Sequence, residues 1–308
     1  MTASEVGGAH PYCTLAYAES LAHIGTPRFV QAWETFVLQR PISGELMDIT
    51  GAYPLTMMGN SVDLASGLDD LREAGAVSVV LVSDHLDGTS QSEFRRTFST
   101  AREFKKHFVV DQVDGRYTPT KHHFDRILRA KRRGVTVKWV RLEDVIVEWA
   151  ALYQELVVRH EITGPAKFSG HAFAMLAGCP GLTVAAASLD GTLVGCHLWI
   201  CHQGIAWSHL AVVNGLGRKN GASYALYDYS INELKNMVVS LGGGAGLTTT
   251  EDDGLALFKE GFSNRKIDSF LYGAVLDPKA YRHLCEQKPL EGNTFFPAYR
   301  SVSTEANS

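Results

Sequence analysis

A lysine late in the chain stands in a pattern suited to stabilising negative charge. Lys259 follows Phe258 in the stretch Asp253-Gly254-Leu255-Ala256-Leu257-Phe258-Lys259-Glu260-Gly261-Phe262. When an amine attacks an ester or thioester, charge develops on the carbonyl oxygen, and an ammonium fixed beside that oxygen lowers the barrier. A lone lysine on a helix is usually a solvated side chain. Only the surrounding pattern therefore singles out Lys259, with Phe258 beside it, as a candidate catalytic residue.

Two further side chains are candidates for proton handling. Asp253 closes the acidic run Glu251-Asp252-Asp253 just before the helix predicted around Lys259. Its carboxylate suits an N-cap that complements the helix dipole, and it also suits binding of a cationic amine or general-base catalysis. His209 lies in a predicted strand beside Trp207. Its ordinary pKa of about 6.5 allows it to accept a proton if the ring faces the site, whereas a ring that faces the core has a packing role.

A glycine-containing segment before a predicted helix has the features of an anion site. The segment reads Arg218-Lys219-Asn220-Gly221-Ala222-Ser223, and unpaired N–H groups at a helix N-terminus attract phosphate. It partly resembles the pyrophosphate signature of GNAT acyltransferases, Gln/Arg-x-x-Gly-x-Gly/Ala: Arg218 and Gly221 match, and Ser223 departs from it. The resemblance implies that Arg218, Asn220, Gly221 and Ser223 hold a donor phosphate. An ordinary strand-to-helix turn is the alternative.

A strongly basic helix is predicted over Thr118–Arg133, with Gly134 as the residue that ends it. It carries six basic residues against one acid, Asp125. A solvated face explains such a pattern, and so does a landing surface for tRNA or another polyanion, because neutralised phosphates release counterions. His122 and His123 are expected at its surface. The residues predicted to contact tRNA are Arg126, Arg129, Arg132 and Arg133.

Composition sets limits on the partners and the compartment. The chain has 308 residues and a net charge of −4, so no global field draws it toward nucleic acid or membrane. The first residues lack the basic and apolar regions of a signal peptide, and the longest apolar runs have the length of strands. Five scattered cysteines without a C-x-x-C pair argue against a zinc site or a disulfide framework. We therefore expect a cytoplasmic protein that binds no metal and spans no membrane.

The candidate residues need strands and helices to position them, and the second half shows these most clearly. A meander of three strands is predicted over Leu182–Ser188, Thr192–Ile200 and Ile205–Val213, with an Asp190-Gly191 hairpin turn between the first two. A helix, the strand Val238–Leu241, a helix around Gly254–Gly261 and the strand Ser269–Leu276 follow. The first half alternates strand and helix, including a helix at Asp63–Glu73 with Asp63 as its N-cap.

The stretch Asp253-Gly254 to Phe258-Lys259-Glu260-Gly261-Phe262, after a strand and a Gly-rich loop, resembles the Fem-like aminoacyltransferases. The runs HPYCTLAYAESLAHIGTPR, LQRPISG and LYQELVVRHEITGPAKFSGHAF extend the resemblance over most of the chain. It implies two tandem GNAT folds that attach amino acids, carried on aminoacyl-tRNA, to amine acceptors such as cell-wall precursors. It also implies that Lys259 stabilises the charge of acyl transfer and contacts the terminal phosphate of the donor.

We therefore predict an α/β protein of two GNAT-like domains, each with a mixed, mostly antiparallel sheet flanked by helices. The predicted boundaries are 1–138 for an N-terminal domain on the acceptor side, 139–285 for a C-terminal domain with the donor site, and 286–308 for a tail. The chain is shorter than typical Fem ligases and lacks their inserted helical hairpin, so acyl-CoA remains the alternative donor, with no tightly bound cofactor in either case. A non-catalytic binding module is the alternative of another class.

Overall fold

The computed structural model describes residues 8–112, 117–245, 253–287 and 295–301. The chain divides into two compact units, each built from two separate segments. Unit 1 contains Met1–Pro11 and Lys105–Asp268, and unit 2 contains Tyr12–Phe104 and Ser269–Ser308. The predicted domain boundary at 138/139 falls inside unit 1, within a strand, and as a boundary between GNAT-like domains it stays a prediction.

The sheet of unit 1 is mostly antiparallel. Its strands are β5 (Thr100–Val110, from Lys105 onward in this unit), β6 (Thr136–Val140), β7 (Leu182–Leu189), β8 (Thr192–His202), β9 (Ile205–Val213) and β10 (Val238–Gly242). They lie in the order β5-β10-β9-β8-β7-β6. Among the described residues of unit 1, only the β9–β10 pair is parallel. The predicted meander is therefore confirmed as β7, β8 and β9.

Two tight turns set the register of that meander. Asp190 and Gly191 both have positive φ, at 49° and 78°, which is the backbone of the favoured two-residue hairpin turn. Gln203 and Gly204 repeat it, at 43° and 79°. Glycine at the second position adopts this conformation without a Cβ penalty, so the D-G and Q-G dipeptides fix where the strands reverse.

The helices of unit 1 cover this sheet. They are α4 (Lys121–Arg132), α5 (Ile146–Arg159), α6 (Gly170–Ala177), α7 (Gly215–Asn220), α8 (Ala222–Glu233) and α9 (Gly254–Glu260). The helix α4 begins with the Thr120 hydroxyl as its N-cap, and Gly134 follows its end at φ 83°, as predicted. Under α8 and α9 lies a core that includes Trp199, Leu241 and Phe262.

Unit 2 has its own mixed sheet. Its strands are β1 (Thr26–Val30), β2 (Thr35–Ser43), β3 (Leu46–Thr50), β4 (Ala76–Ser83) and β11 (Arg265–Val275, from Ser269 onward in this unit), in the order β1-β2-β3-β4-β11. In the part of unit 2 that the structure describes, only β3 and β4 pair in parallel. Its helices are α1 (Leu15–Ser20), α2 (Leu64–Glu73), α3 (Gln91–Thr97) and α10 (Pro278–Glu286). Asp63 caps α2, as predicted.

The same order of elements occurs twice along the chain. In the first copy, the antiparallel strands β2 and β3 lead through α2 to β4, which pairs in parallel with β3, and α3 and β5 follow. In the second copy, β8 and β9 lead through α7 and α8 to β10, and α9 and β11 follow. The last strand of the first copy pairs in unit 1, and that of the second copy pairs in unit 2. Each unit is discontinuous in sequence for this reason.

Within the described residues, no helix combines the length and the apolar composition needed to cross a membrane.

Candidate active site

Lys259 lies in α9, just beyond the end of β10 in unit 1. Its side chain is buried, with 8% of the residue exposed. The Nζ atom donates to the carbonyl oxygen of Gly243 at 2.6 Å. Gly242 adopts φ 71°, which bends the chain as it leaves β10 toward that carbonyl. The lysine predicted to act in acyl transfer is therefore a buried side chain whose Nζ is held against a backbone oxygen, unlike an ordinary solvated lysine.

A second lysine contacts the same glycine segment. Lys105 in β5 donates from its Nζ atom to the carbonyl oxygen of Gly244 at 3.1 Å. Sequence reasoning missed Lys105, because it is 154 positions away from Lys259 and only the β5–β10 pairing brings it to the segment that follows β10. The site thus holds two lysine Nζ atoms on adjacent carbonyls.

The electrostatics of this site lower the pKa of Lys259 to about 7. Burial is the main cause, the positive charge of Lys105 adds to it, and Asp253 opposes it. Because the ammonium form is disfavoured by desolvation and by a like charge, an anion bound nearby would raise the pKa of Lys259 again. The site is therefore electrostatically prepared for a negatively charged ligand or transition state.

Asp253 has the capping role that its position predicted. One carboxylate oxygen, Oδ1, accepts from the backbone N–H groups of Leu255 and Ala256 at 2.9 and 3.1 Å. The other, Oδ2, accepts from Ala245 N at 2.7 Å. A Cβ at Gly244 would overlap this carboxylate, so glycine is required there. Asp253 therefore ties the start of α9 to the end of the glycine segment; Glu251 and Asp252 lie outside the described residues.

Phe258 belongs to an aromatic cluster beside the lysine. Its ring centroid lies 5.0 Å from that of Tyr224, 4.9 Å from Tyr227 and 5.1 Å from Phe262. His123 anchors its backbone, since Nε2 donates to the Phe258 carbonyl at 2.9 Å while Nδ1 accepts from the Thr120 hydroxyl at 3.0 Å. The prediction that His123 is a surface residue is wrong, because it lies on the buried face of α4 and only 6% of it is exposed.

A buried histidine and a serine that sequence reasoning missed lie near Lys259. The Nε2 atom of His197 in β8 is 2.8 Å from the hydroxyl of Ser208 in β9, and that hydroxyl also hydrogen bonds Tyr227 of α8. Burial lowers the pKa of His197 well below its usual value, and the charge of Lys259 lowers it further. The Gln203-Gly204 turn joins β8 to β9, and Ser208 pairs with Trp199, which is two residues from His197. The hairpin pattern in the sequence therefore indicated that His197 and Ser208 are close.

His209 lies at an irregularity of the β8–β9 ladder. Leu198 faces Leu210, whereas the next residue, Trp199, faces Ser208, so His209 is the extra residue of a β-bulge. Its ring packs edge-on against Phe168, 5.8 Å away, and burial lowers the pKa of His209 to about 3. A histidine with that pKa is a poor proton acceptor near neutrality, so the geometry favours the packing role over the catalytic one.

The parallel strands β9 and β10 separate close to this bulge. Their pairing runs from Ile205–Val238 to Trp207–Ser240, and within the described residues it extends no further. The chain leaves β10 at Gly242 and Gly243, where the Lys259 ammonium is bound. In open parallel sheets, ligands bind in the crevice outside the carboxyl ends of diverging strands, and the β9–β10 pair is the parallel pair here.

The predicted phosphate loop is helical, which corrects the sequence-based expectation. Asn214 caps α7 through Gly217 N, and the helix continues to Asn220. The Arg218 guanidinium donates to Val213 O at 2.9 Å and lies 3.7 Å from Glu155. The segment was predicted as a loop because it is rich in glycine and asparagine. The side chain of Asn214 caps a helix at this point instead.

The rest of that segment breaks the helix and does not form an open loop. Gly221 has φ 81°, and a Cβ there would lie 3.2 Å from Ala130 of α4. The side-chain amide of Asn220 donates to Leu216 O. Ser223 lies in the first turn of α8 and is half-buried. A role of these residues in phosphate binding stays a prediction.

The basic residues of α4 lie where the sequence predicted. Arg126, Arg129, Arg132 and Arg133 are all exposed. Arg133 donates to the carbonyl of Lys219 at 2.5 Å, which brings the end of α4 to the end of α7. The basic surface of unit 1, defined as the exposed cations of α4 with Arg133 and Lys219, is therefore continuous from one helix to the next. Its contact with tRNA stays a prediction.

Comparison with known proteins bears on the fold. No family model and no curated protein matches the sequence. Among solved structures, FemX matches with a TM-score of 0.60 and 11% identity, covering 89% of this chain and 95% of its own. L-PGS from Bacillus licheniformis matches with a TM-score of 0.61 and 15% identity, covering 87% and 94%.

A third match is the C-terminal domain assigned to a lysylphosphatidylglycerol synthetase of Agrobacterium fabrum. Its TM-score is 0.59 at 15% identity, covering 83% of this chain and 86% of that one. At such identities the likeness concerns the fold. The predicted fold class is thereby confirmed: the chain has the Fem-like GNAT fold, a mixed and mostly antiparallel sheet flanked by helices.

Proposed function

We propose that this chain is an acyltransferase that moves an aminoacyl group from aminoacyl-tRNA to the amine of a small molecule or cell-wall precursor. The observation that carries the proposal is Lys259, a buried ammonium held against Gly243 O where β9 and β10 separate. The solved structures of the same fold include FemX and a domain assigned to a lysylphosphatidylglycerol synthetase. The Fem-like resemblance of the Asp253–Phe262 stretch supports the same reaction class.

The reaction needs charge stabilisation more than it needs a nucleophile from the protein. The acceptor amine attacks the ester carbonyl, the C–N bond forms, and negative charge develops on the carbonyl oxygen. The Lys259 ammonium stabilises this charge, and the donor's own phosphate raises the pKa of Lys259 so that the cation persists. The ester C–O bond then breaks, and the ribose oxygen takes the proton that the attacking amine loses. Asp253 holds α9 and Ala245 in place during these steps.

The tRNA donor is favoured over acyl-CoA by two features of unit 1. The segment with the partial pyrophosphate signature is helical, and Arg218 is engaged by Val213 O and Glu155. The continuous basic surface on α4 and α7 offers a polyanion several cations at once. The proposal includes no tightly bound cofactor, since the donor itself brings the activated acyl group.

Donor binding is the experiment that separates the alternatives. Purified protein is titrated with mixed aminoacyl-tRNA and, separately, with acetyl-CoA, at several salt concentrations. Lys259→Met tests the site, and Lys266→Met, which changes an exposed lysine of the same unit, is the matched control. Salt-sensitive tRNA binding, together with transfer that Lys259→Met loses, supports the proposal. Binding of acetyl-CoA alone indicates an acyl-CoA transferase, and binding of neither donor indicates a binding module without catalysis.

A further inference from the structure

Two lysine side chains reach the glycine segment after β10 from different elements of unit 1. Lys259 comes from α9, and its Nζ atom donates to Gly243 O at 2.6 Å. Lys105 comes from β5, and its Nζ atom donates to Gly244 O at 3.1 Å and to Ala245 O at 3.5 Å. Acyl transfer as proposed uses the charge of Lys259 alone. The second lysine therefore requires an explanation of its own.

The glycines of this segment make room for the Lys105 side chain. A Cβ at Gly243 would lie 3.2 Å from Lys105 Cδ and 3.3 Å from His107 Cδ2, which is closer than most Cβ contacts. Because Gly243 has no side chain, the aliphatic part of Lys105 packs directly on the backbone of the segment. The position of the Lys105 Nζ atom is therefore set by packing along its whole side chain, as well as by the carbonyl groups it contacts.

The charges around the segment favour a negatively charged ligand. Among the described residues, Asp253 is the acid whose charge raises the pKa of both Lys105 and Lys259. Both oxygens of Asp253 already accept backbone N–H groups. When the two lysines are protonated, these three side chains carry one net positive charge, and burial makes that charge costly. A bound anion would offset this cost.

The two lysines differ in exposure, and the difference separates what each can bind. Only 8% of Lys259 is exposed, whereas Lys105 is half-buried. A carbonyl oxygen that becomes negative only in the transition state suits the buried lysine, since exclusion of water strengthens the interaction. A phosphate is charged throughout the reaction, and full burial of a permanent charge is costly. A phosphate therefore suits the lysine that solvent still reaches.

The order of the lysines along the segment matches the order of groups in an aminoacyl nucleotide. Gly243 is the first residue after β10, where β9 and β10 separate, and Gly244 is one residue further from the sheet. In an aminoacyl nucleotide, one ribose carries the ester on its 3′ side and a phosphate on its 5′ oxygen. A donor that spans both positions has its carbonyl at Lys259 and its phosphate at Lys105.

We propose that Lys105 binds the phosphate of the donor's terminal nucleotide, while Lys259 stabilises the carbonyl oxygen. The identity of this ligand as an aminoacyl donor rests on the proposed function. The phosphate contact that the Fem-like resemblance implied for Lys259 then belongs to Lys105, a residue on another strand. Lys105 is thus a donor-binding residue, and its loss should affect KM more than kcat.

Binding of AMP compared with adenosine tests this site on the full chain. AMP carries the phosphate of a terminal nucleotide, and adenosine has the same base and ribose without it. Calorimetric titration at pH 7 and low salt measures both affinities. We expect the wild type to bind AMP roughly tenfold to a hundredfold more tightly than adenosine, as a charge-assisted hydrogen bond allows.

Four variants show which lysine supplies this preference. Lys105→Met should remove it, Lys105→Arg should keep it because the charge remains, and Lys259→Met should keep most of it. Lys106→Met changes the exposed neighbour of Lys105 on β5, which pairs with Asp268, and it is the matched control. Absence of AMP binding, equal affinity of the wild type for AMP and adenosine, or a preference that survives Lys105→Met would contradict the assignment.

Steady-state transfer from aminoacyl-tRNA gives a second readout. Lys105→Met should raise KM for the donor by roughly tenfold with kcat nearly unchanged, whereas Lys259→Met should lower kcat. A fall in kcat without a change in KM for Lys105→Met would overturn the phosphate role. Because AMP binding involves no acyl transfer, failure of the phosphate site is distinct from failure of the proposed function, which is absence of aminoacyl product with the wild type.

Discussion

The segments that follow the parallel strands of the two units are built from opposite charges. In unit 1, the ammonium groups of Lys259 and Lys105 are held by the carbonyls of adjacent glycines. In unit 2, the corresponding segment presents Asp84 and Asp87 beside His85. The topology is the same, whereas the chemistry is reversed. The same position in the repeated order of elements is therefore basic in unit 1 and acidic in unit 2.

The two carboxylates show the difference most directly. Asp253 accepts three backbone N–H groups and uses both of its oxygens. Asp87 uses only Oδ1, and its Oδ2 has no partner among the residues that the structure describes. The first carboxylate therefore completes the structure around Lys259, whereas the second leaves one of its oxygens buried without a donor from the described residues.

The largest expected effect concerns catalysis in unit 1. Lys259→Met should lower kcat/KM for aminoacyl transfer by roughly a hundredfold to a thousandfold, because it removes the charge that stabilises the oxyanion. Steady-state transfer of a radiolabelled aminoacyl group measures this effect. Lys266→Met should behave like the wild type, and an equal loss in both variants would place the effect outside the site.

The next effect is on stability, and its sign follows from the lowered pKa of Lys259. Between about pH 7 and 10.5 the unfolded chain binds more protons at this residue than the folded chain, so the free energy of unfolding should rise with pH in this window. At about 1.4 kcal/mol per pKa unit, a pKa lowered from 10.5 to about 7 corresponds to roughly 5 kcal/mol. Lys259→Met should abolish the rise. Urea unfolding at pH 7, 8, 9 and 10 measures it, and an unchanged slope in the variant would contradict the lowered pKa of Lys259 as its cause.

A third prediction concerns the basic surface of unit 1. Neutralising Arg129, Arg132 and Arg133 to glutamine should weaken tRNA binding at low salt, and the slope of log affinity against log salt should fall by about 0.9 for each lost phosphate contact. Filter binding at four salt concentrations measures both quantities. The matched variant neutralises three exposed cations of unit 2, Arg72, Arg96 and Lys279, and should keep the wild-type slope.

The smallest expected effect separates the two aspartates. Both oxygens of Asp253 accept backbone N–H groups, and Asp253→Asn replaces one of them with an NH2 group that cannot accept. The variant should therefore lower the free energy of unfolding by about 1 kcal/mol, as loss of an N-cap does. Asp87→Asn should change it by less, because the amide replaces an oxygen that has no partner. Paired urea melts at pH 7 measure the difference. Equal losses would show that Asp87 is also structural.

Local signals in the sequence predicted much of the fold. Asp63 and Asp253 cap helices as their positions indicated, and the Asp190-Gly191 turn joins the two predicted strands. These features depend on neighbours in the chain. The helix α7 was missed because its start depends on one side-chain cap, Asn214, within a composition typical of loops.

The site itself could be predicted only in part. The pattern around Lys259 singled out that residue, but its burial and its lowered pKa depend on packing against β5 and β10. Lys105 reaches the site through the pairing of β5 with β10, which no short pattern encodes. His197 and Ser208 lie on neighbouring strands of a predicted hairpin, but their hydrogen bond also depends on the bulge at His209. His123 was predicted at the surface because its helix is basic, but it lies on the one face of α4 that is buried.

Transfer under single-turnover conditions tests the central claim most directly. Excess protein is mixed with radiolabelled aminoacyl-tRNA and a mixture of amino acids and amino sugars, and amide-linked product is counted over time for the wild type, Lys259→Met and Lys266→Met. The account predicts product with the wild type and Lys266→Met, and a rate at least a hundredfold lower with Lys259→Met. Equal rates in all three proteins, or no product from the wild type while acetyl-CoA does support acylation, would contradict it.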